Sequence, residues 1–207
     1  MSSIIMHIYI SQVVQKELNL SNRFIAGSVL PDMIKLKASN RDETHYIKHI
    51  KGTTKKLPDL KKFIKENEDK LDDEVILGYY AHLIEDKIWF DKYIESFAKC
   101  IDKENVLYTK DNTLHDLQEF RKDMYSDYVN VDKYLVEKNN LNIDEIRMDI
   151  IKELDNYKVT DIINESIVFP QTSGNERIRF ISQSYLHDYI EQSIYEVKKE
   201  IKKIIGE

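Results

Sequence analysis

A chain of 207 residues with 42% hydrophobic and 33% charged residues is long enough to bury a core and too apolar to stay disordered. Its formal net charge of -6, from 31 basic against 37 acidic residues, argues against general nucleic-acid binding, which calls for a basic excess. The single Cys100 excludes an internal disulfide and suits a reducing compartment, and no stretch approaches the roughly 18 consecutive apolar residues of a membrane span.

Only 5 Gly and 3 Pro punctuate the chain, so long helices are expected and the fold class reads as all-α, one multi-helix domain over residues 1–207. The N-terminus is apolar but has neither a basic leader region nor a small-residue cleavage site, which gives a cytoplasmic expectation. Ile10, Val13, Val14 and Leu18 form a helical stripe over residues 5–18, with His7 in or before the first turn. Ser21 is placed to cap a second helix through Phe24 and Ile25. Gly27 and Pro31 in GSVLPD predict an early end to it, with Asp32 in the turn beyond. Residues 34–44 read as loop, and Lys35, Lys37 and Arg41 within them as solvated charges or as partners for phosphate.

His45 and His49 follow four residues apart, a spacing that suits a metal on a helix face and equally two surface histidines. Pro58 opens a short helix with Leu60, Phe63 and Ile64, and the charged run after it is a solvated connection. From Glu74 to about Cys100 runs the central predicted helix. On it His82 and Asp86 stand one turn apart on one face, able to hold a cation between them or to form a buried hydrogen-bonded pair. Tyr79 and Tyr80 read as core or as an aromatic pocket.

Residues 101–112 read as loop, and His115–Glu119 as the start of a helix on which Asp123 and Asp127 make a solvent-facing stripe. Further helices are expected at 143–157 and about 176–205, with weak strand character at Ile167–Phe169 and a loop at TSGNE.

His7, Asp32, His45, His82 and Asp86 together form a nitrogen–carboxylate set suited to Zn²⁺ or a similar divalent ion, with no cysteine ligands in competition. A divalent ion lowers the pKa of water and polarises phosphoryl oxygens, which points to phosphoester hydrolysis. The order His7, Gly-Ser-Val-Leu-Pro-Asp32, Thr-His45-Tyr and Gly-Tyr-Tyr-Ala-His82-Leu-Ile-Glu-Asp86-Lys-Ile-Trp resembles the zinc-dependent phospholipase C family, over roughly residues 5–95.

That resemblance implies the phospholipase C/P1 nuclease fold. It implies Asp32, His45, His82 and Asp86 as ligands of one Zn²⁺, His7 as ligand of a neighbouring ion that Asp86 bridges, and Asp32 as an acceptor of the water proton. His115 and Glu119 resemble a further ligand pair, and His49 is an alternative to His45. The family's N-terminal Trp and the histidine between the positions of Asp86 and His115 have no counterpart here. One ion, or two, is therefore expected rather than three, and another divalent transition metal is open. The implied substrate is a small phosphoester or a phospholipid head group, and self-association into a homo-oligomer is left open.

Two other readings compete. An HD-type phosphohydrolase would use His82, His115-Asp116 or His187-Asp188, and Asp161 or Asp188, leaving Asp86 incidental. A non-catalytic helical protein would keep the ion as a structural element.

Overall fold

The computed structural model describes residues 3–38, 40–170 and 178–206, and over these the protein is mainly helical. Helix α1 (Ile4–Leu18) starts at Ser3, whose hydroxyl accepts the Met6 N–H, and carries His7 in its first turns. It is buried on nearly every side, as its run of Ile, Met and Val dictates.

Helix α2 (Asn22–Ala38) continues through Gly27 and Pro31 instead of ending there. Pro31 withholds the N–H that would bond the Gly27 carbonyl, but what α2 packs against outweighs that loss. Its partner is α5 (Glu74–Ile88), capped by Asp73 through the Val75 N–H. A Cβ on Gly27 would lie 2.1 Å from the Val75 carbonyl oxygen, and one on Gly78 would lie 2.0 Å from that of Phe24. The two helices therefore meet backbone to backbone. Gly27 serves close approach and does not terminate a helix.

Between them come α3 (Arg41–Thr44), where loop was expected, and a hairpin of β1 (Ile47–His49) with β2 (Lys56–Pro58). Tyr46 takes a left-handed φ of 51°, which turns the chain from α3 into β1. His45 and His49 consequently share no helix face, and His49 is an exposed strand residue. Helix α4 (Leu60–Glu66) carries Leu60, Phe63 and Ile64 as predicted, but Asp59 caps it and Pro58 ends β2 instead of opening the helix.

The central helix ends earlier than Cys100. Beyond Ile88 the chain makes a π-helical turn (Trp89–Ile94), a short α6 (Glu95–Phe97) and strand β3 (Ala98–Cys100). β3 pairs antiparallel with β4 (Asn105–Tyr108), and β4 with β5 (Thr113–Asp116), a small sheet the sequence reading did not anticipate. Trp89 is fully buried and donates from Nε1 to the Tyr128 hydroxyl at 2.9 Å, fixing the end of α5. Tyr79 and Tyr80 pack around Phe63, so they are core.

Helices α7 (Leu117–Asn139), α8 (Ile143–Glu153), α9 (Thr160–Ser166) and α10 (Gln183–Ile205) complete the fold. α1, α2, α5 and α10 surround the main core, α7 lies against α1, and α8 and α9 lie against α2. Ile167–Phe169 forms no strand, and the TSGNE segment lies outside the described residues. Among the described residues no helix is long and apolar enough to cross a membrane.

Asp127 corrects the expected acidic stripe. It is fully buried, and its carboxylate accepts the backbone N–H groups of Arg179, Phe180 and Ile181 at 2.7–3.2 Å. Asp123 instead pairs with the Arg179 guanidinium. Asp127 thus clasps the chain entering α10, and hydrogen bonds to a charged acceptor are the strong ones. Asp127→Ala should cost about 3 kcal/mol in urea unfolding, because three backbone donors, that of Ile181 buried, lose a charged partner. A loss below about 1 kcal/mol would contradict the clasp.

Candidate metal centre

Four elements converge on one buried cluster. α1 supplies His7, α2 supplies Asp32 one turn beyond Ser28, the end of α3 supplies His45, and α5 supplies His82, Glu85 and Asp86. All five residues expected as ligands are 0–2% exposed. Charged and polar groups are seldom placed so deep without partners.

Each imidazole is held by its Nδ1. His7 Nδ1 lies 2.8 Å from Glu85 Oε2, His82 Nδ1 donates to the Ser28 carbonyl at 2.8 Å, and His45 Nδ1 lies 2.9 Å from Thr44 Oγ1. The close α2–α5 contact at Gly27 and Gly78 is what brings Ser28 within reach of His82. With Nδ1 occupied, Nε2 is the atom each ring offers inward. His45 Nε2 is 3.2 Å from Asp32 Oδ1. The Nε2 atoms of His45 and His82 are each 3.9 Å from Asp86 Oδ2, and His7 Nε2 is 3.8 Å from Asp86 Oδ1. The His7 and His82 rings stack with centroids 3.9 Å apart.

His82 Nε2 is buried and makes no hydrogen bond among the described residues. His7, Asp32 and His82 form one group, and His45, His82 and Asp86 another, whose donor atoms lie within 4.8 Å of one another. An inward nitrogen without a hydrogen-bond partner, beside two carboxylates, fits a divalent cation. The partners behind each Nδ1, of which the Ser28 carbonyl must accept, resemble the outer groups that orient metal-binding histidines.

The electrostatics agree. Burial pushes the His82 imidazole down to about 4, with Asp32 and Asp86 offsetting only part of the effect. Burial, helped by the neighbouring His82, also holds His7 well below the usual imidazole value. Burial alone would raise Asp32, but the His45 hydrogen bond, His82 and Lys35 hold it well below the usual carboxylate range. Asp86 is likewise lowered against its burial, with the neighbouring His82, His45 and His7 rings among the causes. His7 and His82 are therefore neutral and both aspartates ionised near pH 7, the states in which they bind cations. Glu85 is pushed well above its usual value by burial and by Asp86.

Lys35 Nζ reaches Asp32 Oδ1 at 2.8 Å, and Arg41 Nη2 stands 3.6 Å from Asp86 Oδ2. These two belong to the site, whereas Lys37 reaches the carbonyls of Tyr157 and Lys158. Glu85, absent from the expected ligands, is the added member. His115 stacks on Tyr108 in the small sheet, and Glu119 is exposed in α7, so neither joins the cluster. The His115-Asp116 and His187-Asp188 dipeptides also lie outside it, with Asp116 capping α7 and His187 exposed beside Glu191. A surface groove of about 1020 Å³, lined by Phe97, Tyr108 and Arg179 among others, includes no member of the cluster.

Fold and site together define a mainly helical protein with a buried three-histidine, two-aspartate cluster. No protein-family model, no curated protein and no solved structure matches the chain.

Proposed function

We propose that this chain is a metal-dependent phosphoester hydrolase similar to the zinc-dependent phospholipase C family. The observation that carries the reading is the fixing of all three Nδ1 atoms by Glu85, Ser28 and Thr44, which leaves three Nε2 atoms facing Asp32 and Asp86. In this reading Asp32, His45, His82 and Asp86 hold one Zn²⁺ or other divalent transition ion. His7 faces the second oxygen of Asp86, as a ligand of a neighbouring ion would. The ion supplies Lewis acidity and brings the pKa of water toward neutrality. Asp32 accepts a proton from water, and Lys35 keeps that carboxylate ionised and oriented. The substrate is a small phosphoester or a phospholipid head group.

The test is hydrolysis of p-nitrophenyl phosphate, bis(p-nitrophenyl) phosphate and phosphatidylcholine by metal-loaded protein. Turnover of at least one is expected, with loss on chelation and a fall of about 10²–10⁴-fold in Asp32→Asn. The near-complete burial of all five donors favours a second reading, a structural ion in a non-catalytic helical protein. Metal-loaded protein that turns over none of the three substrates would establish that reading over the first.

A further inference from the structure

The five donors are sealed, but two side chains beside them are not. Lys35 is 15% exposed and Arg41 is 32% exposed, so these two side chains run from the buried cluster to solvent. Any substrate arriving there passes two cations. In the metal-free protein Lys35 and Arg41 stand opposite the charges of Asp32 and Asp86. A divalent ion among the same carboxylates leaves the pocket with surplus positive charge, which favours an anionic ligand.

Arg41 is built for that ligand more than for Asp86. Its Nη2 is buried and makes no hydrogen bond among the described residues, and 3.6 Å is too far for one to Asp86 Oδ2. Phe90, one turn beyond Asp86, lies under the guanidinium with 5.2 Å from Cζ to the ring centroid, which holds the fork's plane. The Arg41 carbonyl accepts the His45 N–H at 2.9 Å, so Arg41 and His45 move as one piece of backbone. A planar fork of donors matches the paired oxygens of a phosphoryl group, which an ammonium does not.

Resting on the metal-centre reading above, we propose that Arg41 is a substrate-binding residue that clamps the non-bridging oxygens of a phosphoryl group at the metal centre. The shared chemistry is the phosphoryl oxyanion, whether from a monoester or a diester. Inorganic phosphate and dimethyl phosphate are the probes for the two sources, titrated calorimetrically into zinc-loaded wild type, Arg41→Ala, Arg41→Lys and Lys37→Ala.

One or both probes should bind wild type and Lys37→Ala alike. Binding should weaken about 10–100-fold in Arg41→Ala and by an intermediate factor in Arg41→Lys, while zinc content is unchanged. Stronger phosphate binding would assign a monoester, and stronger dimethyl phosphate binding a diester. Anion affinity within twofold of wild type in Arg41→Ala would overturn the proposal. So would zinc loss in both Arg41 variants, which would make Arg41 part of the metal scaffold. If wild type takes up no zinc, the metal-centre reading fails and the clamp falls with it; if zinc binds and Arg41→Ala keeps its anion affinity, the clamp alone fails.

Discussion

Zinc at about a thousand times its Kd should raise the melting temperature of the wild-type protein by roughly 8–16 °C. A ligand at that excess stabilises the folded state by about 4 kcal/mol, and each kcal/mol is worth about 2–4 °C in a chain of this size. In His82→Ala the same zinc concentration should give only about 3–6 °C over that variant's own metal-free value. The reduction follows from dividing the roughly 10–16 kcal/mol of a structural zinc among four ligands, about 3 kcal/mol or a hundredfold in affinity each. His82 is the residue to remove because it belongs to both donor groups and its Nδ1 is committed to Ser28. Differential scanning fluorimetry with and without chelator reads the effect directly. An equal zinc shift in wild type and His82→Ala would place the ion elsewhere.

Gly78→Ala should be strongly destabilising, costing about 3 kcal/mol or more. The new Cβ would sit 2.0 Å from the Phe24 carbonyl oxygen and 2.9 Å from the Ser28 nitrogen, and both are backbone atoms that no rotamer change can move. Relief requires α2 and α5 to separate, and overpacking of even flexible side chains costs about 1–3 kcal/mol. The same separation would lengthen the 2.8 Å bond between His82 and the Ser28 carbonyl, so zinc affinity should fall with stability. Urea unfolding and a zinc titration of the one variant check both effects. A variant within about 1 kcal/mol of wild type, with unchanged affinity, would show that the two backbones are not in the contact described.

Much of the cluster was legible because its members sit in local patterns with a geometric meaning. His82 and Asp86, one turn apart on α5, meet as their spacing predicts, and His7 occupies the first turns of α1 as its apolar stripe implies. Glu85 was legible too and was overlooked. It lies three residues from His82, hence on the same side of the helix, in a run otherwise flanked by apolar residues. Asp32 was placed in the right company on the wrong element. Gly27 and Pro31 carry strong stop signals in isolation, and only the partner helix reveals that Gly27 is there for close approach.

What the sequence hid is tertiary. Arg41 enters the site from α3, a four-residue helix in a polar stretch that reads as loop. Asp127 looked like a surface carboxylate because its partners, the backbone donors of residues 179–181, lie 52–54 positions away. Of the small sheet, β3 falls at the end of the stretch read as the central helix and β4 in the stretch read as loop, and strands of 3–4 residues are too short to register as alternation.

The central claim is that His7, Asp32, His45, His82 and Asp86 hold a divalent metal ion. Plasma mass spectrometry of protein purified without a metal-affinity tag, beside a His82→Ala, Asp86→Ala double variant, tests it most directly. The account predicts near-stoichiometric zinc or another divalent transition metal in wild type, at one ion or two per chain, and its loss in a double variant that still folds. Folded wild-type protein that carries no such metal and takes up none from added Zn²⁺ would contradict it, leaving the cluster as a buried network of polar side chains.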